Sequence, residues 1–241
     1  MRAGGVVGAT SRMKSSGPPP IHASRSGSAP TGRSVTSTPL ADGPVIQHSS
    51  QVALDHGIDL DGALALLSRA RLQVPVVLFS YLNPLMAAGR EVLQRAAAAG
   101  ASGVLVTDLP VGADPEREAW MGGGPLDFVR LVAPTTPPAR MAEIARHGRG
   151  FVYLISRLGV TGEQDALSAT LPETVARLRS ASSLPICVGF GISRPDQAAA
   201  VARIADGVVV GSALVRAADE SVDRALALAR ELRTAIDDAG G

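Results

Sequence analysis

The chain has 241 residues, 46% of them hydrophobic and 3% aromatic, with a net charge of +1, four histidines and one cysteine, Cys187. That length buries the core of one large α/β domain or two small ones, and the near-neutral charge removes the electrostatic case for a nucleic-acid or anionic-membrane ligand. One cysteine excludes an internal disulfide and a Cys-rich zinc site, the scattered histidines lack metal-ligand spacing, and no apolar run approaches the roughly 20 residues of a membrane span. The composition predicts a soluble cytoplasmic protein whose core is built from Ala, Val, Leu and Ile.

Residues 1–37 contain no Asp or Glu and five Lys or Arg, among repeated Ser, Gly and Pro. No period of 2 or 3.6 runs through them, and little apolar surface offsets their chain entropy, so disorder is the expectation. An Arg- and Ser-rich, acid-free leader also fits a transit peptide. A third reading is translation in a wrong frame or from a wrong start. Arg replaces Lys almost everywhere, Lys14 being the only lysine, as in GC-rich coding sequence.

From Ser50 the pattern alternates. "SQVALDHGIDLDGALALLSRAR" reads as helix, with Leu60, Ala63, Leu64 and Leu67 at i, i+3, i+4, i+7. "VPVVLFS" is a buried strand and "GREVLQRAAAAGA" a helix stopped by Gly100. "SGVLVTDLP" is a strand, and "ADPEREAWM" a helix with acids in its first turn. "LDFVRLVAP" and "PPARMAEIARHG" form the next strand and helix, then "GFVYLIS" and "LPETVARLRSAS". "LPICVGFG" precedes a helix capped by Ser193 with Pro195 in its first turn. "DGVVVGSALV" is the last strand, running into a short helix. The closing helix places Val222, Ala225, Leu226, Ala229, Leu232 and Ile236 on one face.

About six continuous apolar strands separated by helices describe a parallel sheet covered on both faces. No GxGxxG follows the first strand, so the dinucleotide-binding doubly wound fold lacks its signature. The alternative is a (β/α)8 barrel, which needs eight strands to close. The expectation is an incomplete TIM barrel over residues 38–241, lacking the first two strands, with residues 1–37 disordered or non-homologous.

A barrel presents its chemistry at the C-terminal ends of its strands. Those ends carry Tyr81 and Asn83, Thr107 and Asp108, Pro134 and Thr135, Tyr153 and Arg157 with the loop "LGVTGEQ", Phe190 and Gly191, and Gly211 and Ser212. "GVTG", "GFGIS" and "VVGSAL" are glycine-centred. Such ends let backbone amides approach an anion, and the helix starting at Ser212 aims its positive end at the same spot. This predicts a phosphate cup on the last strands. Asp108 reads as a loop cap, Tyr153 as core or pocket lining, Arg157 as ligand contact or surface, and Cys187 as a small core residue. Asp42, the first carboxylate side chain in the chain, sits in "TPLADGP". It is either a helix cap or a carboxylate presented for proton transfer.

The segments "PLADGPVIQHSS", "PVVLFSYLNPL", "GVLVTDLP", "DFVRLVAPTTPP", "FVYLISRLGVTG", "ICVGFGIS" and "GVVVGSALV", in this order over residues 39 to about 235, together resemble the tryptophan synthase alpha subunit. The resemblance implies a lyase that splits indole-3-glycerol phosphate into indole and glyceraldehyde 3-phosphate without metal or organic cofactor. It also implies a beta-subunit partner that carries pyridoxal phosphate, in an alpha2-beta2 heterotetramer. By the same resemblance Asp42 would interact with the indole N–H, and Thr161 would support it from the mobile loop. Gly162, Gly191, Gly211 and Ser212 would hold the phosphate, while Tyr81, Tyr153 and Phe190 would line the indole pocket. The loops around Pro39 and "GVTG" would touch the beta subunit.

One departure is large. The family carries a catalytic glutamate shortly before "PLADGP", in a stretch like E-x-G-x-P-x-S-D. Here "GRSVTST" holds no glutamate, and Thr38 stands where an Asp is expected. A transit peptide would precede the whole domain rather than replace its first quarter, which favours a frame or start error. The chain as written should form an open barrel with exposed strand edges, poor solubility and little or no turnover. The alternative is a catalytically inactive module that still binds a phosphate ligand or the beta subunit. Another phosphate-binding barrel is disfavoured by "PLADGP" and "SRLGVTG" together.

Overall fold

The computed structural model describes residues 22–25, 42–156, 169–189 and 191–239, and for 22–25 the backbone alone. The six apolar runs form strands β2 (Val76–Ser80), β3 (Gly103–Val106), β4 (Asp127–Val132), β5 (Val152–Ile155), β6 (Ile186–Gly189) and β7 (Gly207–Val209). All pair in parallel with their sequence neighbours. A four-residue strand, β1 (His22–Arg25), adds to the free edge of β2 in register His22↔Val76. No strand is expected there from the sequence, because "HASR" has no apolar run; backbone pairing needs none.

Among the described residues β1 and β7 are the two ends of the sheet and do not pair with each other. The architecture is therefore an α/β incomplete (β/α)8 barrel. Helices follow the strands: α3 (Leu82–Ala87) and α4 (Val92–Ala98) after β2, α5 (Pro115–Gly122) after β3, α6 (Pro138–Arg146) after β4 and α7 (Leu171–Ala181) after β5. Then come α8 (Pro195–Ala202) after β6, and α9 (Ser212–Glu220) and α10 (Val222–Ala239) after β7.

Strand alternation divides the core. Val77, Leu105, Val129, Tyr153 and Cys187 form one inner cluster, joined by Phe79, Leu131 and Val209. Their neighbours Leu78, Val104, Val106 and Phe128 face α2 (Leu60–Ala70), α4 and α5. Val132, Val152, Leu154, Ile186, Val188 and Val208 face α6, α7, α8 and α10. Both faces are covered, which is why the strands lack polar alternation.

Three local expectations change. The stretch read as one helix from residue 50 is two: α1 (Pro44–Asp55) and α2. Gly57 at φ 71° turns the chain between them, and Asp59 Oδ1 accepts from Gly62 N at 2.9 Å to start α2. On α10 the buried seam runs through Leu228, Leu232 and Ile236, with Ala225 and Ala229 beside it. Val222 and Leu226 lie off it, 66% and 47% exposed. The N-cap of α8 is Arg194 rather than Ser193. Gln197 Oε1 accepts from the amides of both, so one side chain satisfies two helix-start donors.

Candidate active site

Asp42 is 5% exposed. It precedes the N-cap of α1, which is Gly43, and the Gly43 carbonyl accepts from the amides of Ile46 and Gln47. Pro44 at the helix start supplies the fixed φ that makes Asp42-Gly43-Pro44 a sharp entry. Gln47 Nε2 donates to the Asp42 carbonyl at 2.6 Å, holding the residue at the helix mouth. Helix α1 packs against α9, the helix that leaves β7, and His48 Nε2 lies 3.9 Å from Asp219 Oδ2. The helix that follows Asp42 is thus packed on α9, the helix that leaves the β7 edge of the sheet.

Gly211 is the N-cap of α9, and Ser212 is its first residue. The nine-residue helix directs its first amides and its positive dipole end to the C-terminal end of β7. Two residues past the end of the neighbouring strand β6, Gly191 adopts φ 79°, a conformation that a side chain would strain. The register Gly189↔Val209 sets the ends of β6 and β7 side by side, so Gly191, Gly211 and Ser212 share one sector of the rim.

The inner wall is aromatic and tightly fitted. Tyr153 is buried, and the Phe79 ring meets its edge at 6.2 Å and 61°. A Cβ on Gly189 would sit 2.2 Å from the Tyr153 hydroxyl. The glycine therefore leaves the space into which Tyr153 reaches. Burial raises the Tyr153 phenol above its ordinary range, with the Cys187 thiol adding to the effect, so the group stays neutral. Gly207 makes the same kind of room for Cys187, whose Sγ would lie 2.6 Å from an added Cβ. Burial pushes that thiol up to about 12, which makes Cys187 a packing residue and a poor nucleophile.

Tyr81 is the N-cap of α3, half-buried at the end of β2. Its turn is pinned from β3: Asp108 Oδ1 accepts from Leu82 N at 2.7 Å. Asp108 thus acts as the loop cap that its position suggests. Thr161, Gly162, Phe190 and Arg157 lie outside the described residues.

The sequence reading missed a buried cation behind the loop after β3. Arg130 sits between Phe128 and Val132 on the outer face of β4, its guanidinium 3.7 Å from the Phe128 ring centre. It donates to Glu118 Oε2 at 3.0 Å, to the Leu109 carbonyl at 3.3 Å and to the His147 carbonyl at 3.1 Å. Glu118 Oε1 in turn accepts from Gly112 N at 2.6 Å. The pair clamps the loop after β3. Its signal in sequence is an Arg at an outward, helix-covered position of an apolar strand, where a charge needs a partner. Among the described residues no three His, Cys, Asp or Glu side chains gather as a metal site. None of the described helices is long and apolar enough to cross a membrane.

Known proteins match this arrangement. A family model described as the tryptophan synthase alpha chain matches residues 34–239. The tryptophan synthase alpha chain of Desulfatibacillum aliphaticivorans is 46% identical over 190 residues, which cover 78% of this chain and 72% of that protein. That of Geobacter sulfurreducens is 45% identical over 203 residues, covering 83% and 76%. A Mycobacterium tuberculosis tryptophan synthase structure superposes with a TM-score of 0.76 at 37% identity, covering 83% of this chain and 77% of that one. The alpha subunit from Legionella pneumophila gives 0.73 at 34%, covering 84% and 79%. The family model spans most of the chain and the strands superpose on the solved relatives: the chain belongs to the tryptophan synthase alpha chain family.

Proposed function

We propose that this chain binds indole-3-glycerol phosphate and carries the surviving half of the machinery that cleaves it to indole and glyceraldehyde 3-phosphate. The observation that carries this reading is the buried Asp42 at the entry to α1, which packs against α9, the helix capped by Gly211 and begun by Ser212. The amides at Gly191, Gly211 and Ser212 hold the phosphate, with Gly162 adding to them. Asp42 holds the indole N–H, and Thr161 supports Asp42. Tyr81, Tyr153 and Phe190 wall the ring. These roles follow the family's pattern, position by position.

The bond changes define what the protein must supply. A proton is added at indole C3, the C3–glycerol bond breaks, and its electrons return to the ring. The adjacent glycerol hydroxyl loses its proton and becomes the aldehyde. Asp42 stabilises the positive ring nitrogen that C3 protonation creates, and a neutral aromatic wall excludes water. A second carboxylate has to move the two protons, and residues 1–41 contain none. The chain therefore binds better than it turns over. A general acid–base group contributes roughly 10²- to 10⁴-fold, which sets the expected deficit.

The same absence supports the second reading, a catalytically inactive module that keeps the phosphate ligand and the beta subunit. No organic cofactor enters the reaction of this subunit; pyridoxal phosphate belongs to the beta partner. Residues 38–241 are proposed as the barrel unit. Calorimetric titration with a non-cleavable analogue, in which propyl phosphate replaces glycerol phosphate, separates binding from chemistry when paired with an indole-release assay. Binding that Asp42→Asn weakens, with indole release about a hundredfold or more below that of an intact relative, is the expected pattern. No binding sinks the substrate assignment. Ordinary turnover sinks the inactive module.

A further inference from the structure

Asp42 precedes the N-cap of α1, so its carbonyl lies outside the regular ladder of that helix. Pro44 keeps Gly43 extended, at φ −73° and ψ 170°. Rotation at Asp42 itself then decides where its side chain points. Gln47 restrains that rotation. Its backbone amide donates to the Gly43 carbonyl at 3.0 Å, and its side-chain Nε2 donates to the Asp42 carbonyl at 2.6 Å. One residue thus grips the two successive peptide planes on either side of Gly43. The second bond reaches back five residues, one further than the helical ladder, and a side chain has to make it.

Glutamine suits this place chemically. Its amide is a neutral donor, whereas an ionised glutamate of the same length has no proton to offer a carbonyl. The grip is also anchored: Ile46, the preceding residue, is buried, and α1 packs against α9. A carboxylate that meets a ring N–H has to be aimed as well as present, because hydrogen bonds weaken steeply with misalignment. We propose that Gln47 is a positioning residue that aims Asp42 at the ring N–H, so that selectivity for a nitrogen heterocycle depends on a side chain acting through another. The inference rests on the indole site proposed above.

The test titrates the full chain, Gln47→Ala, Gln47→Glu and Asp42→Ala with indole propyl phosphate and with its benzofuran counterpart, in which a ring oxygen replaces the N–H. Glycerol 3-phosphate, which has the phosphate and no ring, is titrated alongside. The quantity read is the ratio of affinities, indole over benzofuran, within each variant. A ratio of about ten or more is expected in the parent chain, from a hydrogen bond to a charged group. It should fall to about one in Asp42→Ala and most of the way there in both Gln47 variants, with glycerol 3-phosphate affinity unchanged. Thermal unfolding confirms that each variant is folded. If Asp42→Ala removes the ratio and both Gln47 variants keep it, the positioning role is wrong and the indole site stands. If a Gln47 variant loses glycerol 3-phosphate affinity as well, Gln47 supports the rim as a whole and the proposed role also fails. If the parent chain shows no ratio, or binds neither ring analogue, the indole site falls and Gln47 with it.

Discussion

On the β2–β4 side of the sheet, the loops at the mouth are fastened by charge. Arg130 and Glu118 hold the loop after β3, Asp108 holds the start of α3, and Arg140 donates to the Val111 carbonyl. On the β5–β7 side the fastening is steric. Tyr153 fills the space over Gly189, Cys187 fills the space at Gly207, and one large apolar cluster packs α6–α10 against the strands. Under the proposed function, the difference follows what each side would hold. Loops that wall a ring are irregular and need directional partners. A rim that delivers backbone amides to a phosphate needs bare backbone, and the side chains of neighbouring strands take up the space that glycine leaves.

The charged side breaks most expensively. Arg130 and Glu118 are 5% and 9% exposed at their side chains. Burial depresses the Arg130 pKa, and Glu118 opposes that shift. Glu118→Gln leaves a buried guanidinium without its counter-charge. A loss of about 3–5 kcal/mol is expected in denaturant unfolding. Arg130→Leu combined with Glu118→Leu should recover most of it, because the desolvation cost leaves together with the attraction. A double variant no better than the single would mean that the loop depends on the hydrogen bonds rather than on charge balance.

The steric side breaks next. Gly189→Ala drives a methyl group into the Tyr153 hydroxyl, and overpacking of this kind costs about 1–3 kcal/mol. Adding Tyr153→Phe should return part of that loss, since the hydroxyl is the nearer obstacle at 2.2 Å and the ring carbon behind it stands at 2.7 Å. No recovery in the double variant would refute the fit described for this wall.

The strands β2–β7 were legible because both their faces are covered and their residues are uniformly apolar. What depends on alignment between strands was not. That Tyr153 reaches over Gly189 follows from the register of β5 on β6, which pairs Tyr153 with Cys187 and Ile155 with Gly189; no single segment encodes it. The glycines of the rim were legible as glycine-centred strand ends, and Gly191 takes a positive φ. The break between α1 and α2 was available in "HGID", where a glycine and a capping aspartate stand two residues apart, but the apolar spacing around it reads through. Arg130 hid because a strand read only as apolar gives no reason to ask which face its arginine occupies. β1 has no side-chain pattern to find.

A smaller effect tests the helix that begins the β2 side. Asp59→Ala removes the acceptor for Gly62 N and should cost about 1 kcal/mol, read by thermal unfolding. Asp59→Asn, which keeps an acceptor, should cost much less. Equal losses would place the effect elsewhere than in the cap.

The smallest effect concerns alkaline pH and belongs to the steric side alone. The Cys187 thiol, ordinarily near 9, is pushed up to about 12 in the folded state by burial, and Tyr153 is raised above its ordinary 10 for the same reason. Both groups are neutral when folded and ionise more readily when unfolded, so the unfolded chain binds fewer protons as pH rises. Their contribution is full below pH 9 and is lost as pH climbs from 9 through about 12. Cys187→Ala should flatten the lower part of that decline, with Tyr153 then dominating above pH 10. At pH 8 the native thiol should resist a thiol reagent and label only at the rate of opening, because the thiolate is the reacting form. Rapid stoichiometric labelling of the folded chain would show that the β5–β7 wall is not closed over Cys187, and the contrast between the two sides would lose its steric half.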